Sequence, residues 1–268
     1  MKIGLTALPP FTFRASILPA SGFLVLLAAA AAGQRIALPR AAWNPLLVSA
    51  FLNVTCWHVL TAFGLANMDA GRAAIVAYTM PLWIAVLARL FLAEPFDRRR
   101  MTALALGTLG IGALLYPDWA RIGVRPQGPL FMIAAAFTWA GGTLWQKHAP
   151  QSTPLLTQTG WQLLVGGIPV VAAALIFDRP EAMTWSPAIV GLLVYLVVIP
   201  TCLCYWAWYK VVALFPAQIA AIGMMMVPVV GVLSSIAVLG ESFGLADLAA
   251  LTLVTAAIAL ALTEPRKP

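Results

Sequence analysis

Charge is scarce in this chain. Only 9% of its 268 residues are Asp, Glu, Lys or Arg, against about 25% in soluble globular domains. So few charges cannot cover a water-exposed surface, and a soluble enzyme of this length is excluded. Carboxylates are scarcest, at nine, and none lies deep within an apolar run, so an acid relay for proton coupling is not evident. Histidine occurs twice and cysteine three times. Cys56, Cys202 and Cys204 all sit in apolar runs, without metal-ligand spacing, and read as small packing residues. A Walker-type Gly-Lys-Ser loop is absent, which argues against an ATP drive. So are a His-Glu-x-x-His pair and an Asp-rich pair for a prenyl diphosphate. The expectation is no catalytic residues, no metal and no cofactor.

What is abundant is apolar surface. Hydrophobic residues make up 62% of the chain and mean hydropathy is +0.93, which excludes disorder. A spanning helix needs about 20 mostly apolar residues. Nine such runs are legible: Pro10–Ala32, Pro45–Ala66, Ala70–Leu92, Met101–Tyr116, Gly128–Trp145, Pro154–Phe177, Pro187–Tyr209, Ala217–Leu239 and Phe243–Leu262. Lipid cannot satisfy free backbone N–H or C=O groups, so these are helices. The alternating segments of a transmembrane barrel are missing. The predicted fold is an all-α polytopic membrane protein. The first run carries Arg14 and internal prolines and does not read as a cleavable signal.

The net charge of +7 reads as topology, not as nucleic-acid binding. One set of alternate loops holds Arg35, Arg40, Arg98, Arg99, Arg100, Lys147, Lys210, Arg266 and Lys267. The other holds Lys2, Arg72, Arg121, Arg125 and Arg179. The richer side is expected in the cytoplasm, with the C-terminus.

Residues 70–81 and 217–228 align without a gap at a shift of 147. The register pairs Ala73 with Ala220, Ala74 with Ala221, Pro81 with Pro228, Glu94 with Glu241 and Phe96 with Phe243. It also pairs the first run with the sixth, the second with the seventh and the fourth with the ninth. The fifth has no partner. Copies at an odd offset lie in opposite orientations, so the complete plan is an inverted five-plus-five helix repeat, here with about nine spans. The expectation is that this chain starts late and lacks the first helix, through a misassigned start or a real truncation. Inverted repeats can exchange conformations and open a midplane site to either side.

The spacing Gly71…Pro81…Glu94, its match Ala217…Pro228…Glu241, and Arg14 early in the Pro-rich run Pro9-Pro10-Phe11-Thr12-Phe13-Arg14 resemble the EamA-type drug/metabolite transporter superfamily. The resemblance covers nearly the whole chain, with 1–122 as a first, N-terminally incomplete repeat and 126–264 as a second. It implies a ten-helix transporter of the bacterial inner membrane, with both termini cytoplasmic, whose relatives export amino acids or other small metabolites. It also implies that the missing first helix would line the central cavity.

Polar groups within spans are costly and usually functional. Asn53, Trp57 and Thr61 fall on one helix face with His58 adjacent. His58 is the one histidine inside a run; it can bind substrate or change protonation, or be a neutral side chain satisfied by a neighbour. Under the shift it pairs with Tyr205. The substrate-binding candidates are Asn53, Trp57, His58, Tyr78, Trp83, Trp139, Gln162 and Tyr205, with Trp161 and Trp206 behind them. Pro81 and Pro228 read as paired hinges, or as prolines simply tolerated in lipid. Met224, Met225 and Met226 suit either a varied apolar ligand or lipid. Trp208 and Tyr209, beside Lys210, read as an interfacial belt. Arg14 can snorkel outward or meet a substrate carboxylate; Glu94 and Glu241 suit helix capping.

The reading is therefore a secondary transporter, an exporter of small metabolites such as amino acids by alternating access. Its partners are a small-molecule substrate and the bilayer; a homodimer stays open. The rivals are a non-transporting sensor or assembly protein and, behind it, a membrane-embedded lipid-modifying enzyme.

Overall fold

The computed structural model describes residues 8–68, 73, 76–93, 97–119, 127–149, 153–179, 186–227, 229–230 and 245–262. The described residues are helical throughout, joined by short turns. The helices are α1 (Pro10–Ala31), α2 (Arg40–Asn67), α3 (Met80–Phe91), α4 (Arg98–Trp119), α5 (Gln127–His148), α6 (Leu155–Phe177), α7 (Pro187–Leu214), α8 (Ala217–Met224) and α9 (Leu245–Leu262). Four of them, α1, α2, α6 and α7, are long and apolar enough to cross a membrane; α3 and residues Leu248–Leu260 of α9 are shorter apolar helices. Large apolar side chains face outward, among them Phe23, Leu90, Leu175 and Ile176. That exterior suits acyl chains and not water.

Local chemistry sets the ends. Pro10 occupies the first turn of α1, where its missing N–H costs nothing. The orphan N–H of Thr12 in that turn donates to the Asp178 carboxylate at 2.5 Å. Gly33 closes α1 with φ +71°, the left-handed conformation that glycine adopts freely. Ser186 caps α7 by accepting from the Ile189 N–H, and Pro187 follows at the first helical position. The Lys147 ammonium, on α5, donates to the Val212 and Phe215 carbonyls at 3.0 and 2.8 Å, holding the C-terminal end of α7.

α2 and α7 each carry one wide, π-helical stretch, Phe51–Cys56 in α2 and Val197–Leu203 in α7. In α7 the stretch contains Pro200, which has no N–H to give, and Thr201 donates its hydroxyl to the Leu196 carbonyl at 2.8 Å. Such bulges often mark functional sites. Element boundaries recur at the shift found in the sequence: Arg40 and Pro187 open α2 and α7, and Asn67 and Leu214 close them. α1 packs along α6, and α4 along α9.

The α1–α6 crossing is close. A methyl group at Gly22 would come within 2.7 Å of the Leu164 backbone nitrogen and 2.9 Å of the Gly160 carbonyl oxygen. Small residues at such crossings let helix backbones meet where no hydrophobic force drives them together. Cross-links to carbonyls reinforce the contacts. Thr55 donates to Gly166 on α6 at 2.7 Å, while Cys202, at the matching position of α7, lies 3.5 Å from the Ser21 carbonyl on α1.

One expected span differs. The run Ala70–Leu92 is not a single helix kinked at Pro81. The chain turns at Tyr78–Thr79, and Pro81 lies in the first turn of α3. The proline ring would collide with the carbonyl four residues back, so the preceding helix ends and a new one starts where proline is tolerated. Thr79 donates its hydroxyl to the Val76 carbonyl at 2.7 Å. A turn also ends α8, at Met225, the position matching Tyr78. Pro228, Gly71, Glu94 and Glu241 lie outside the described residues.

Candidate aromatic site between the helices

The bulge in α2 delivers Trp57 and His58 into the centre of the bundle, and the bulge in α7 delivers Tyr205 opposite them. His58 Nε2 lies 3.0 Å from the Tyr205 hydroxyl, a hydrogen bond between positions 147 apart. With that nitrogen unprotonated, the phenol donates.

Around this pair stands a wall of rings. Trp139 on α5 is 5.0 Å from Trp57, 5.7 Å from Tyr205 and 6.3 Å from Trp208, between ring centroids. Tyr209 lies 6.0 Å from Tyr205. Met80 and Trp83 of α3, Ala136 of α5 and Met224 of α8 complete the cluster. Trp83 also meets Phe137 edge-on at 5.5 Å. Indoles offer a flat apolar face and a polar N–H at the rim. Here the indole nitrogens of Trp83, Trp139 and Trp208 and the Tyr209 hydroxyl are buried without an acceptor among the described residues.

Arg14, on α1, is a buried charge. It is 3% exposed, one turn before Leu18, which packs with Val54, Val59 and Tyr205. Its Nη1 donates to the Pro10 carbonyl at 2.8 Å, while Nη2 is buried without a partner. The side chain thus reaches back one turn toward the start of α1 and is buried there, not exposed.

Of the sequence-derived candidates, the structure brings together Trp57, His58, Trp83, Trp139 and Tyr205. Asn53 stands just behind, donating to the Trp139 carbonyl at 3.0 Å and tying α2 to α5. Gln162 is buried elsewhere, donating to Gln146 at 2.9 Å across the α5–α6 contact. Tyr78 packs with Met225, Val229 and Val254 against α4 and α9. Trp161 donates its N–H to the Ile36 carbonyl at 2.9 Å, at the turn after α1. Lys210 sits 5.0 Å over the Trp206 ring, a cation–π contact at the end of α7. Of the methionine triplet, Met224 joins the rings and Met225 is fully buried.

Trp208 and Tyr209 are not an interfacial belt. Tyr209 is 1% exposed, because α7 is held against α5 by Lys147 and by the Trp139 contact. With Met80, these are the residues that sequence reasoning left out of the site.

A multi-pass helical membrane protein with a buried aromatic site between its helices belongs, as a class, with the membrane transporters. More specifically, the chain belongs to the EamA-like transporter family, whose model matches residues 1–116 and 126–263. It is 23% identical over 265 residues to the uncharacterized transporter YvbV of Bacillus subtilis, covering 99% of this chain and 86% of that one. It is 25% identical to a protein of Salmonella typhimurium named "Probable amino-acid metabolite efflux pump", covering 96% of this chain and 87% of that one. A solved crystal structure superposes with a TM-score of 0.85 at 19% identity, covering 97% of this chain and 90% of the other. That likeness establishes the fold.

Proposed function

We propose that the protein is a secondary transporter of the bacterial inner membrane, with its C-terminus in the cytoplasm, that exports small metabolites such as amino acids by alternating access. The observation that carries this reading is the His58–Tyr205 hydrogen bond. It joins equivalent positions of two halves related by the 147-residue shift, each presented by a bulged helix. A contact between equivalent residues is what a pseudo-two-fold axis through the site produces, and such an axis allows the halves to exchange roles and open the site to each face in turn. The pairing of α1 with α6 and of α4 with α9 supports the same axis. On this reading residues 1–122 and 126–264 are the two repeats, in an inverted five-plus-five plan.

Trp57, His58, Trp83, Trp139 and Tyr205 line the substrate site in this proposal. Asn53, Gln162 and Tyr78 stand behind it and move with the helices. Pro81 and Pro228 are the hinges; Pro81 already marks a break between two helical segments. Efflux of labelled amino acids from proteoliposomes tests the function. Wild-type protein is expected to accelerate efflux, and His58→Ala to abolish most of it. Unchanged efflux in His58→Ala and in Tyr205→Phe would remove the pair from the mechanism.

A further inference from the structure

α2 and α3 each pack against α5, and α5 is the floor of a half-open groove between them. Its cavity measures about 450 Å³ and is almost wholly apolar. Leu87 and Leu144 are buried at its base, while Phe91 and Phe137 stand 72% and 45% exposed along it. Gly141 leaves the groove clear: a side-chain carbon placed there would meet nothing within 4 Å. Trp145, also in the wall, gives its N–H to the Pro45 carbonyl at 3.0 Å. It therefore offers a polar solute no donor.

Along α5 the lining runs from Phe137 to His148. Eleven steps of 1.5 Å make roughly 16 Å, about half of the roughly 30 Å hydrocarbon core of a bilayer. The groove thus has the depth of one leaflet. It ends at His148, where the helix ends are basic. Arg40 opens α2, and Arg89 lies in the last turn of α3; both, like His148, are exposed. Among the described residues the acid at this end is Asp97, whose carboxylate accepts from the Arg100 N–H at 2.7 Å.

We propose that this groove holds one phospholipid of that leaflet, an acyl chain lying along α5 between α2 and α3 and an anionic headgroup at His148. Enclosure by three helices distinguishes this chain from the lipid that merely surrounds the protein. An imidazole N–H can donate to a phosphate oxygen, and basic pockets between helices at the membrane surface favour anionic headgroups. Leu87 and Leu144 also pack with Trp83 and Trp208, so the bound chain lies one layer of side chains from the ring cluster. The inference does not depend on transport.

Native mass spectrometry of the full-length protein tests it. The protein is released from nanodiscs made of equal parts phosphatidylglycerol, phosphatidylethanolamine and phosphatidylcholine. Wild-type protein is expected to retain one phospholipid per chain, phosphatidylglycerol at least threefold over either of the others. Gly141→Phe extends a ring into the open space and should reduce retention at least fivefold. Gly141→Leu serves if the larger side chain prevents folding. His148→Ala should keep the lipid and at least halve the preference for phosphatidylglycerol. Equal retention of the three lipids, unchanged preference in His148→Ala, or unchanged retention in both Gly141 variants overturns the proposal. So does a protein that retains no lipid; if it is instead a dimer that Gly141→Phe separates, the groove belongs to a second copy of this chain.

Discussion

The Tyr205 hydroxyl lies 3.0 Å from His58 Nε2, and both residues are largely enclosed by rings and aliphatic side chains. Tyr205→Phe keeps the ring and deletes the bond, leaving an orphaned nitrogen. A buried polar group left unpaired costs about 1–3 kcal/mol. Urea unfolding in detergent should show a loss of that size. His58→Leu with Tyr205→Phe should cost less than the two single changes added together, since neither partner is then orphaned; strict additivity would mean the bond contributes nothing.

The α1–α6 crossing tolerates no side chain at Gly22, because the obstacles are the Leu164 nitrogen and the Gly160 carbonyl, both main chain. Gly22→Ala must push the helices apart, and overpacking of this kind costs roughly 1–3 kcal/mol. The thermal midpoint should fall. An unchanged midpoint would show that the crossing is looser than described.

Gly142 presents the opposite case. A side chain there would collide with the Asn53 amide, which is a removable obstacle. Gly142→Ala alone should destabilise, and adding Asn53→Ala should return part of the loss, although Asn53→Ala by itself forfeits the bond to the Trp139 carbonyl. Sites in contact couple by about 0.5–3 kcal/mol in such cycles. A coupling near zero would contradict the contact.

Lys147→Met keeps the aliphatic stem and removes the charge from the last carbonyls of α7. The expected cost is about 1 kcal/mol. Hydrogen exchange should quicken in the last turn of α7 before it does elsewhere; uniform exchange would place the ammonium in solution instead.

Much of the architecture was written in run length. Seven of the nine apolar runs contain a described helix that begins and ends within a few residues of the expected edges; Ala70–Leu92 departs where Pro81 interrupts it, and in Ala217–Leu239 the described helix ends at Met224. The shift of 147 was legible from Pro81, Pro228 and the paired glutamates, yet its strongest expression, His58 against Tyr205, involves two different residue types and leaves little trace in an alignment. The site was half legible. Polar and aromatic residues at mid-span were recognisable, but Trp208 and Tyr209 beside Lys210 resemble an interface, and only α5 packed against α7 makes them central.

Sequence alone determined that this chain is helical and membrane-embedded. Lipid leaves the backbone no partner outside its own segment, so length and apolarity suffice to dictate helices. Which face of each helix turns inward was decided by tertiary contacts. In a bilayer the outer face is as apolar as the inner one, so the periodicity that orients a soluble helix is missing. The burial of Arg14, the convergence of the indoles and the His58–Tyr205 contact depend on neighbours distant in the sequence, whose placement comes from packing between helices and not from any local pattern.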